Sequence, residues 1–298
     1  MYTVKHAAEL TGIPAATLRM WERRYAVVRP VRSESGYRLY DDGALRRLTA
    51  MSSLVGAGWS PRQAAERVLA DEATGIDERP EPVSPELGDV DALARVAGTF
   101  DAAGLDAALD EAFALGTFEQ VVDGWLMPAL QRVGSGWRDG RVTVAGEHFV
   151  SATVQRRLAA AFDAAGRASG APRVVVGLAR GSRHELGVLA FATALRRAGL
   201  DVVYVGGDLP PEGWASVVAA QHPAAVVLGV PSADDVVAVR ETVAALAAAQ
   251  PGLPVHVGGG HQHRVDGARR LGHTLGPAAS ALAAELRAVT PASGPGSR

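Results

Sequence analysis

The chain contains no cysteine among its 298 residues. Disulfide bonds, thiol catalysis and cysteine-ligated zinc sites are therefore excluded. Aromatic residues make up only 5% of the sequence, so alanine and valine supply most of the expected core. No apolar run reaches the roughly 20 residues of a transmembrane helix, and the N-terminus lacks the pattern of a signal peptide. We therefore expect a cytoplasmic protein with no membrane partner.

Length and charge distribution predict domains with different partners. A chain of 298 residues is long enough for two or three domains. The net charge is only −2, but residues 1–70 carry eleven Lys and Arg against six Asp and Glu, and the remainder carries nineteen against twenty-six. A basic N-terminal segment on an acidic body indicates that the N-terminal segment meets phosphates.

The basic segment has the pattern of a winged helix-turn-helix. A short helix begins after Thr3 as its N-cap, and a glycine turn separates it from a second helix over 15–25. Two β-prone pieces over 29–40 flank a Ser/Gly turn and predict a hairpin. A further helix begins at Ser60-Pro61 with a capping box and fades by about Ala70.

The sequences TLRMWERRY at 17–25 and SGYRLY at 35–40 resemble the winged-helix domain of MerR-type transcription regulators. The resemblance implies that the second helix enters the major groove of a double-stranded DNA operator and that the hairpin wing contacts the flanking backbone. Guanidinium and hydroxyl groups suit phosphate and base contacts, whereas Leu18 and Trp21 are predicted to be core. The residues implied to contact DNA are Thr17, Arg19, Arg23 and Arg24 on the helix and Arg32, Tyr37, Arg38 and Tyr40 in the wing.

A linker and a helical segment follow. Residues 71–90 contain seven acidic residues, one arginine and three prolines, which is typical of an extended linker. Residues 91–168 show helical periodicity throughout and predict a four-helix bundle. Its third helix starts at a capping box over 117–120, and Gly134-Ser135-Gly136 are expected to interrupt it. Ordinary MerR proteins place a long dimerising helix after the head, so dimerisation here is expected to come from elsewhere.

The C-terminal part alternates between strands and helices. The predicted strands are 173–178, 201–206, 224–230, 254–258 and 272–275, with helices near 185–198, 211–221, 234–249 and 278–289. This alternation predicts a Rossmann-like parallel sheet with helices on both faces. Ligands of such sheets bind at the carboxyl ends of the strands. His184 falls there and can offer a nitrogen to a metal, while Gly187 permits close approach.

Three motifs along this part resemble a cobalamin-binding domain. The family pattern Asp-x-His-x-x-Gly, Ser-x-Leu and Gly-Gly corresponds here to Ser182-x-His184-x-x-Gly187, Ser232-Ala233-Asp234 and Gly258-Gly259. The resemblance implies that His184 is the lower axial ligand of cobalt and that the displaced benzimidazole tail enters a slot lined by Ser232, Gly258 and Gly259. A metal-bound imidazole needs an acceptor for its other N–H. Ser182 stands where the family has Asp, and Asp234 where it has Leu.

The complete order of segments resembles the light-sensing CarH/LitR regulators. In these regulators the bundle caps the upper face of adenosylcobalamin, and the resemblance implies that Trp137, Glu147 and His148 surround the adenosyl group. Well-known members have a histidine directly after the tryptophan. This chain has Arg138, whose protonated guanidinium cannot bind cobalt.

These patterns predict a multidomain regulator, a repressor rather than an enzyme, whose homo-oligomeric assembly (dimer or tetramer) is controlled by adenosylcobalamin and light. One alternative is the same architecture without light sensing, with another cobalamin or with none; another is a cobalamin-carrying enzyme subunit. His256, His261 and His263 are expected to line the mouth of the tail slot or face solvent, not to form a separate metal site. The predicted segments are a head over 1–70, a linker over 71–90, a bundle over 91–168, an α/β domain over 169–290 and a disordered tail over 291–298.

Overall fold

A computed structural model describes most of the chain. The described residues are 2–11, 13–28, 30–32, 38–40, 44–45, 47–48, 51–52, 55, 60–73 and 87–289. They form two compact units on either side of residues 74–86. The predicted tail over 291–298 lies outside the described residues. Within the described ranges, no helix is long and apolar enough to cross a membrane.

The first unit is a winged helix-turn-helix. Its elements are β1 (Tyr2–Thr3), α1 (Val4–Thr11), α2 (Ala15–Tyr25), β2 (Val31–Arg32), β3 (Arg38–Tyr40) and α3 (Pro61–Ala73). The strands pair antiparallel in the order β1-β3-β2. The predicted N-cap is present, since the Thr3 hydroxyl accepts a hydrogen bond from the His6 amide at 3.3 Å. The pairing strand β1 was not predicted, and α3 extends three residues past Ala70.

The second unit begins with four helical segments. These are α4 (Ala92–Thr99), α5 (Ala102–Ala114), α6 (Phe118–Val121) continued by a π-helical turn (Val122–Leu126) into α7 (Met127–Arg138), and α8 (Val144–Ala164). The predicted capping box is present, because Thr117 and Gln120 exchange both hydrogen bonds. The core starts before the predicted boundary: Leu87 and Val90 are buried in it, so the linker is shorter than 71–90.

The predicted interruption at Gly134-Ser135-Gly136 is wrong. These residues lie inside α7, and the helix continues to Arg138. The reason for Gly136 is tertiary, because a Cβ atom there would come within 2.8 Å of the Val142 side chain. Close packing against the following connection, not a helix break, therefore explains this glycine.

A parallel α/β domain completes the second unit. Its elements are β4 (Arg173–Leu178), α9 (Glu185–Arg197), β5 (Asp201–Tyr204), α10 (Pro211–Gln221), β6 (Ala225–Gly229), α11 (Asp235–Ala249), β7 (Val255–Gly258), β8 (Arg269–Arg270) and α12 (Leu275–Val289). The strand order is β5-β4-β6-β7-β8, with every pairing parallel. The fifth strand predicted over 272–275 is wrong, since the exposed pair Arg269-Arg270 forms β8 and Gly272 turns the chain at φ +86°.

The bundle and the α/β domain share one core. Side chains alternate across a strand, so Val174, Val176 and Leu178 face the side on which α9, α12 and the bundle pack. The intervening Val175, with Val226 and Leu228, faces the side that contains Trp214 of α10 and residues of α11.

A carboxylate of the bundle caps a helix of the α/β domain. Asp123, in the π-helical turn, accepts hydrogen bonds from the amides of Leu275 at 2.7 Å and Gly276 at 3.0 Å. These first amides of α12 have no partner within their own helix. Nearby, Glu119 accepts a hydrogen bond from Arg197 at 2.6 Å. Partial burial raises the pKa of Glu119, but the Arg197 ion pair contributes to the net downward shift.

We expect Asp123→Ala to destabilise the second unit by about 1–2 kcal/mol, because a helix cap is lost and two amides lose their acceptor. For a unit of this size the thermal midpoint should fall by a few degrees. Circular dichroism of the full chain measures the change. Asp106→Ala is the matched control, since Asp106 is exposed on α5 and makes no side-chain hydrogen bond within the described residues. Equal shifts in the two variants would contradict a capping role.

Candidate functional site

The outward face of α2 carries the predicted DNA-contacting residues of the helix. Arg19, Arg23 and Arg24 are exposed and Thr17 is half-buried. The opposite face is buried at Leu18 and Trp21 in the core of the head, as predicted. Three guanidinium groups therefore stand on one exposed helix surface, where they can contact phosphates or base edges.

The wing is tied to α2 by an acidic residue that sequence reasoning missed. Glu22 accepts hydrogen bonds from the Arg38 Nε at 2.9 and 3.0 Å and from the Tyr40 hydroxyl at 3.3 Å. Tyr40 is 0% exposed, and burial together with Glu22 raises its pKa to about 12. The prediction that Tyr40 contacts DNA is therefore corrected, because its side chain belongs to the core of the head. In the sequence, this role of Glu22 could have been suspected because it is an acidic residue within a basic helix.

The other wing residues are only partly accounted for. Arg38 is half-buried and ion-paired with Glu22, so it positions the wing strand against α2. The backbone of Arg32 lies in β2, but its side chain lies outside the described set, as does Tyr37. The DNA-contacting roles of Arg32 and Tyr37 stay predictions.

In the α/β domain, several predicted site residues lie along one edge of the sheet. The connections after β4 and β6 diverge, because β5 lies on one side of β4 and β6 on the other. Register places Leu178, Gly229 and Gly258 level with each other on neighbouring strands. The segments with Ser182, His184, Ser232, Gly258 and Gly259 therefore follow the carboxyl ends of adjacent strands.

His184 sits immediately before α9 and is exposed. Within the described residues, its imidazole makes no hydrogen bond. Ser182 is 1% exposed, and its hydroxyl has no hydrogen-bond partner among the residues that the structure describes. A Cβ atom at Gly187 would meet no atom within 4 Å, so space remains open beside the helix start. These features fit a metal-centred cofactor. The exposed imidazole can bind the metal, the unpartnered buried hydroxyl can accept a hydrogen bond from the other ring N–H, and the open glycine leaves space.

Asp208 holds the turn that precedes His184 and was not singled out from the sequence. Its carboxylate accepts hydrogen bonds from the Gly181 amide at 2.7 Å and from Arg183 at 3.2 Å, and its amide donates to the Ser182 carbonyl at 2.9 Å. The hydrogen bond from Gly181 and the charge of Arg183 lower the pKa of Asp208. The available signal was an acid after β5 at the same sheet edge.

The positions at this edge are glycines for different physical reasons. Gly259 has φ +102°, and a Cβ atom there would come within 2.8 Å of the Val230 carbonyl, so the backbone itself requires it. A Cβ atom at Gly258 would make ordinary contact with Leu271 at 3.4 Å, and one at Gly229 would come within 2.5 Å of Leu178. Ser232 caps locally, with its amide and hydroxyl donating to Asp235 at 2.8 and 2.6 Å.

On the bundle, the predicted residues lie at the junction of α7 and α8. Trp137 is in the last turn of α7 and is 50% exposed. Glu147 and His148 are in the first turns of α8, with Glu147 Oε2 2.7 Å from His148 Nδ1, and the Ser151 hydroxyl donates to Glu147 at 2.6 Å. The Gly136 carbonyl accepts hydrogen bonds from two amides of the connection, so the end of α7 and the start of α8 are held close.

Helix direction relates the bundle residues to the sheet edge. Arg196, near the end of α9, donates to the Phe162 carbonyl near the end of α8 at 2.9 Å, and Arg167 reaches Asp201 at the start of β5. The ends of α8 and α9 therefore lie near the amino ends of the strands. Because the two helices also pack together, both begin toward the carboxyl edge of the sheet. At about 1.5 Å per residue, His148 lies about 21 Å along α8 from Phe162, and His184 about 18 Å along α9 from Arg196.

Of His256, His261 and His263, it is His256 that differs from its expected placement. His256 is buried in β7 and does not line the mouth of a slot. His261 is half-buried and His263 is exposed, with their rings stacked at 6.2 Å. No group of three or more His, Asp or Glu in the described ranges could hold a separate metal ion.

Known proteins match both units of the chain. Residues 2–70 match the family described as MerR HTH family regulatory protein, and residues 90–161 and 172–284 each match a family described as B12 binding domain. The chain belongs to the MerR-type transcription regulators that contain cobalamin-binding domains. The HTH-type transcriptional repressor CarH of Myxococcus xanthus is 31% identical over 269 residues, which cover 87% of this chain and 88% of CarH. The repressor CarA of the same organism is 31% identical over 261 residues, covering 86% and 85%.

A solved structure agrees with the fold of the second unit. The monomethylamine corrinoid protein of Methanosarcina barkeri superposes with a TM-score of 0.54 at 16% identity, covering 66% of this chain and 97% of that protein. The predicted family, fold class and cobalamin-binding domain are confirmed. Because CarH and CarA are named as transcriptional repressors, the prediction of a DNA-binding regulator that is not an enzyme is confirmed as well. The roles of individual site residues stay predictions.

Proposed function

We propose that this regulator is a light-responsive repressor that holds adenosylcobalamin between the bundle and the carboxyl edge of the sheet. In this proposal, cofactor and light control its assembly into a homo-oligomer that binds operator DNA. The main support is the exposed imidazole of His184, which has no partner in the described part of the chain. It stands at a sheet edge toward which the helix with Glu147 and His148 also begins.

The lower side of the cofactor belongs to the sheet edge. His184 would hold cobalt through one nitrogen, and the buried hydroxyl of Ser182 would accept a hydrogen bond from the other N–H. Asp208 keeps the turn in place through Gly181 and Arg183. Gly187 leaves the start of α9 uncovered. A hydroxyl is a weaker acceptor than a carboxylate, so His184 is a weaker ligand here than in a domain with Asp at position 182.

The upper side belongs to the bundle. The exposed indole of Trp137 offers a flat apolar surface, and the Glu147–His148 pair offers polar groups beside it. Phe100 is also exposed, with its ring 5.8 Å from that of Phe149, the residue after His148. When bound, adenosylcobalamin supplies a light-sensitive cobalt–carbon bond. Arg138 cannot replace a lost upper ligand.

Linkage explains how a cofactor controls DNA binding. A ligand favours assembly only if the oligomer binds it more tightly than the monomer does. Two heads on one assembly bind two half-sites together, and this raises the effective affinity without a new contact. Loss of the upper group then weakens the assembly and releases the DNA.

The decisive experiment is a measurement of molar mass by light scattering. With adenosylcobalamin in the dark, we expect a larger particle than in the cofactor-free protein, and green light should return it to the smaller mass. Hydroxocobalamin, which lacks the cobalt–carbon bond, is the control and should give no response to light. An unchanged mass under every condition would reject the proposal. Cofactor-dependent assembly without a light response would favour the light-independent alternative.

We expect His184→Ala to lose the visible spectrum of histidine-ligated adenosylcobalamin and to bind the cofactor at least about tenfold more weakly, since one metal ligand is absent. Titration followed by visible absorption measures both. The control is His222→Asn, because His222 is an exposed histidine before β6 at the opposite edge of the sheet, and asparagine tolerates its φ of +45°. Identical spectra for the two variants would remove His184 from the site.

We expect Arg23→Ala to weaken binding to a duplex that the protein selects from a random pool. If Arg23 neutralises a phosphate, the slope of log affinity against log salt should fall by about one. Fluorescence anisotropy across a salt series measures this slope. Arg156→Ala, at an exposed position on α8, should keep the wild-type slope. If Arg23→Ala keeps that slope too, Arg23 makes no phosphate contact.

A further inference from the structure

The hydrogen bonds of the fold do not explain why a histidine is buried in β7. His256 is 3% exposed, and its Nε2 atom has no hydrogen-bond partner within the described residues. A buried polar atom without a partner costs about 1–3 kcal/mol. Apolar residues of similar size would avoid this cost at a position inside a strand. The imidazole is therefore a candidate for a contact with a bound group.

The strand register relates His256 to the glycines of the sheet edge. Residues two apart on a strand share a face, so His256 and Gly258 lie on the same side of β7. Gly229 is paired with Gly258, and Val227 with His256. Val227 belongs to the core beneath α9 and α12. His256 thus lies about 7 Å inside the edge, on the face where two adjacent strands end in glycines.

Apolar side chains border these two glycines. A Cβ atom at Gly229 would lie 2.5 Å from Leu178 and 3.5 Å from Val188 of α9, and one at Gly258 would lie 3.4 Å from Leu271. Leu271 is held firmly, since its amide donates to the Val257 carbonyl at 2.9 Å. The next residue, Gly272, exchanges two hydrogen bonds of 3.0 and 2.6 Å with the buried side chain of Gln262.

Burial favours the neutral form of the His256 imidazole. Burial lowers its pKa, Arg269 lowers it further, and Glu285 opposes the shift. Arg269 and Glu285 are paired with each other, so neither is committed to the imidazole. A neutral imidazole has one N–H donor and one acceptor nitrogen. It therefore suits an uncharged polar group better than it suits an ion.

We propose that His256 is a specificity-determining residue that hydrogen-bonds the nucleotide tail of the cofactor through Nε2. The tail would enter from the His184 edge on the face that carries Gly258, and it would supply the missing partner. This proposal rests on the proposed function, in which the tail is displaced from cobalt by His184. The partner is an uncharged polar atom of the base or of the ribose.

The test compares corrinoids with and without a tail. Dissociation constants of the full-length protein and of His256→Leu are measured in the dark by absorption titration with cobalamin, with cobinamide, which lacks the nucleotide, and with a cobamide that has adenine as its base. We expect His256→Leu to bind cobalamin about tenfold more weakly and cobinamide as the wild type does. A loss that differs between the two tail-bearing corrinoids identifies the base as the partner, and an equal loss identifies the ribose.

Stability of the cofactor-free protein provides an independent readout. Removing an unpartnered buried nitrogen should leave the thermal midpoint of His256→Leu unchanged or higher. Trp214→Phe is the matched control, because Trp214 also has a buried nitrogen without a partner in the described ranges, but on the opposite face of the sheet. It should keep the wild-type preference for tail-bearing corrinoids. His256→Phe, which keeps a ring but has no nitrogen, replaces the Leu variant if that variant does not fold.

The outcomes separate this proposal from the one on which it rests. If His256→Leu loses affinity equally for cobalamin and cobinamide, or loses none, His256 does not read the tail. If the wild-type protein binds none of the three corrinoids, the cofactor assignment itself fails. If Trp214→Phe shows the same loss of tail preference, the effect belongs to the domain as a whole and the proposal is overturned.

Discussion

The pairing of β4 with both β5 and β6 is the constraint on which the second unit depends. The chain leaves β4 toward one neighbour and returns on the other side, so α9 and α10 pack on opposite faces of the sheet. The connections after β4 and β6 then cannot cover each other, and the edge between them stays accessible. A single change of strand order would remove the gap beside His184.

The bundle packs on one face of the sheet and shares its core, and does not form a separate core. Helix α8 packs on α9, and Asp123 caps α12, so the face of the sheet and the bundle are one folding unit. A group held between Trp137 and His184 would therefore contact two parts of one cooperative structure. Loss of the group would change the strain in both parts, because a densely packed core transmits strain.

Local pattern predicted much of this fold. The valine-rich run over 173–178, the capping box at Thr117 and the turn at His184 each depend on neighbours within a few residues. The errors concern partners that are distant in the sequence. The core position of Tyr40 follows from Glu22, eighteen residues earlier. Gly136 reads as a break until Val142 is seen beside it. β8 has no apolar alternation, because it is a short, exposed edge pair of arginines.

The residues of the candidate site also divide into those with a local sequence signal and those that depend on distant contacts. Motif spacing was enough to select His184, Ser232 and Gly258, whereas the role of Asp208 and the buried position of His256 become visible only when the strands are aligned. Asp208 acts on a turn 25 to 27 residues away from it, and His256 differs from a core residue only by its missing partner. Neither property is encoded in a local pattern.

The Glu22 contacts have a consequence for the choice of DNA. One carboxylate holds both Arg38 and Tyr40, so it ties β3 to α2. If α2 enters the groove and the wing contacts the backbone, as the sequence predicts, this tie fixes the span between them, and the duplex must adapt to that span. Flexible base steps bend at lower cost than stiff ones. Such a head would then discriminate between sequences by their mechanical compliance, at base pairs that no side chain touches.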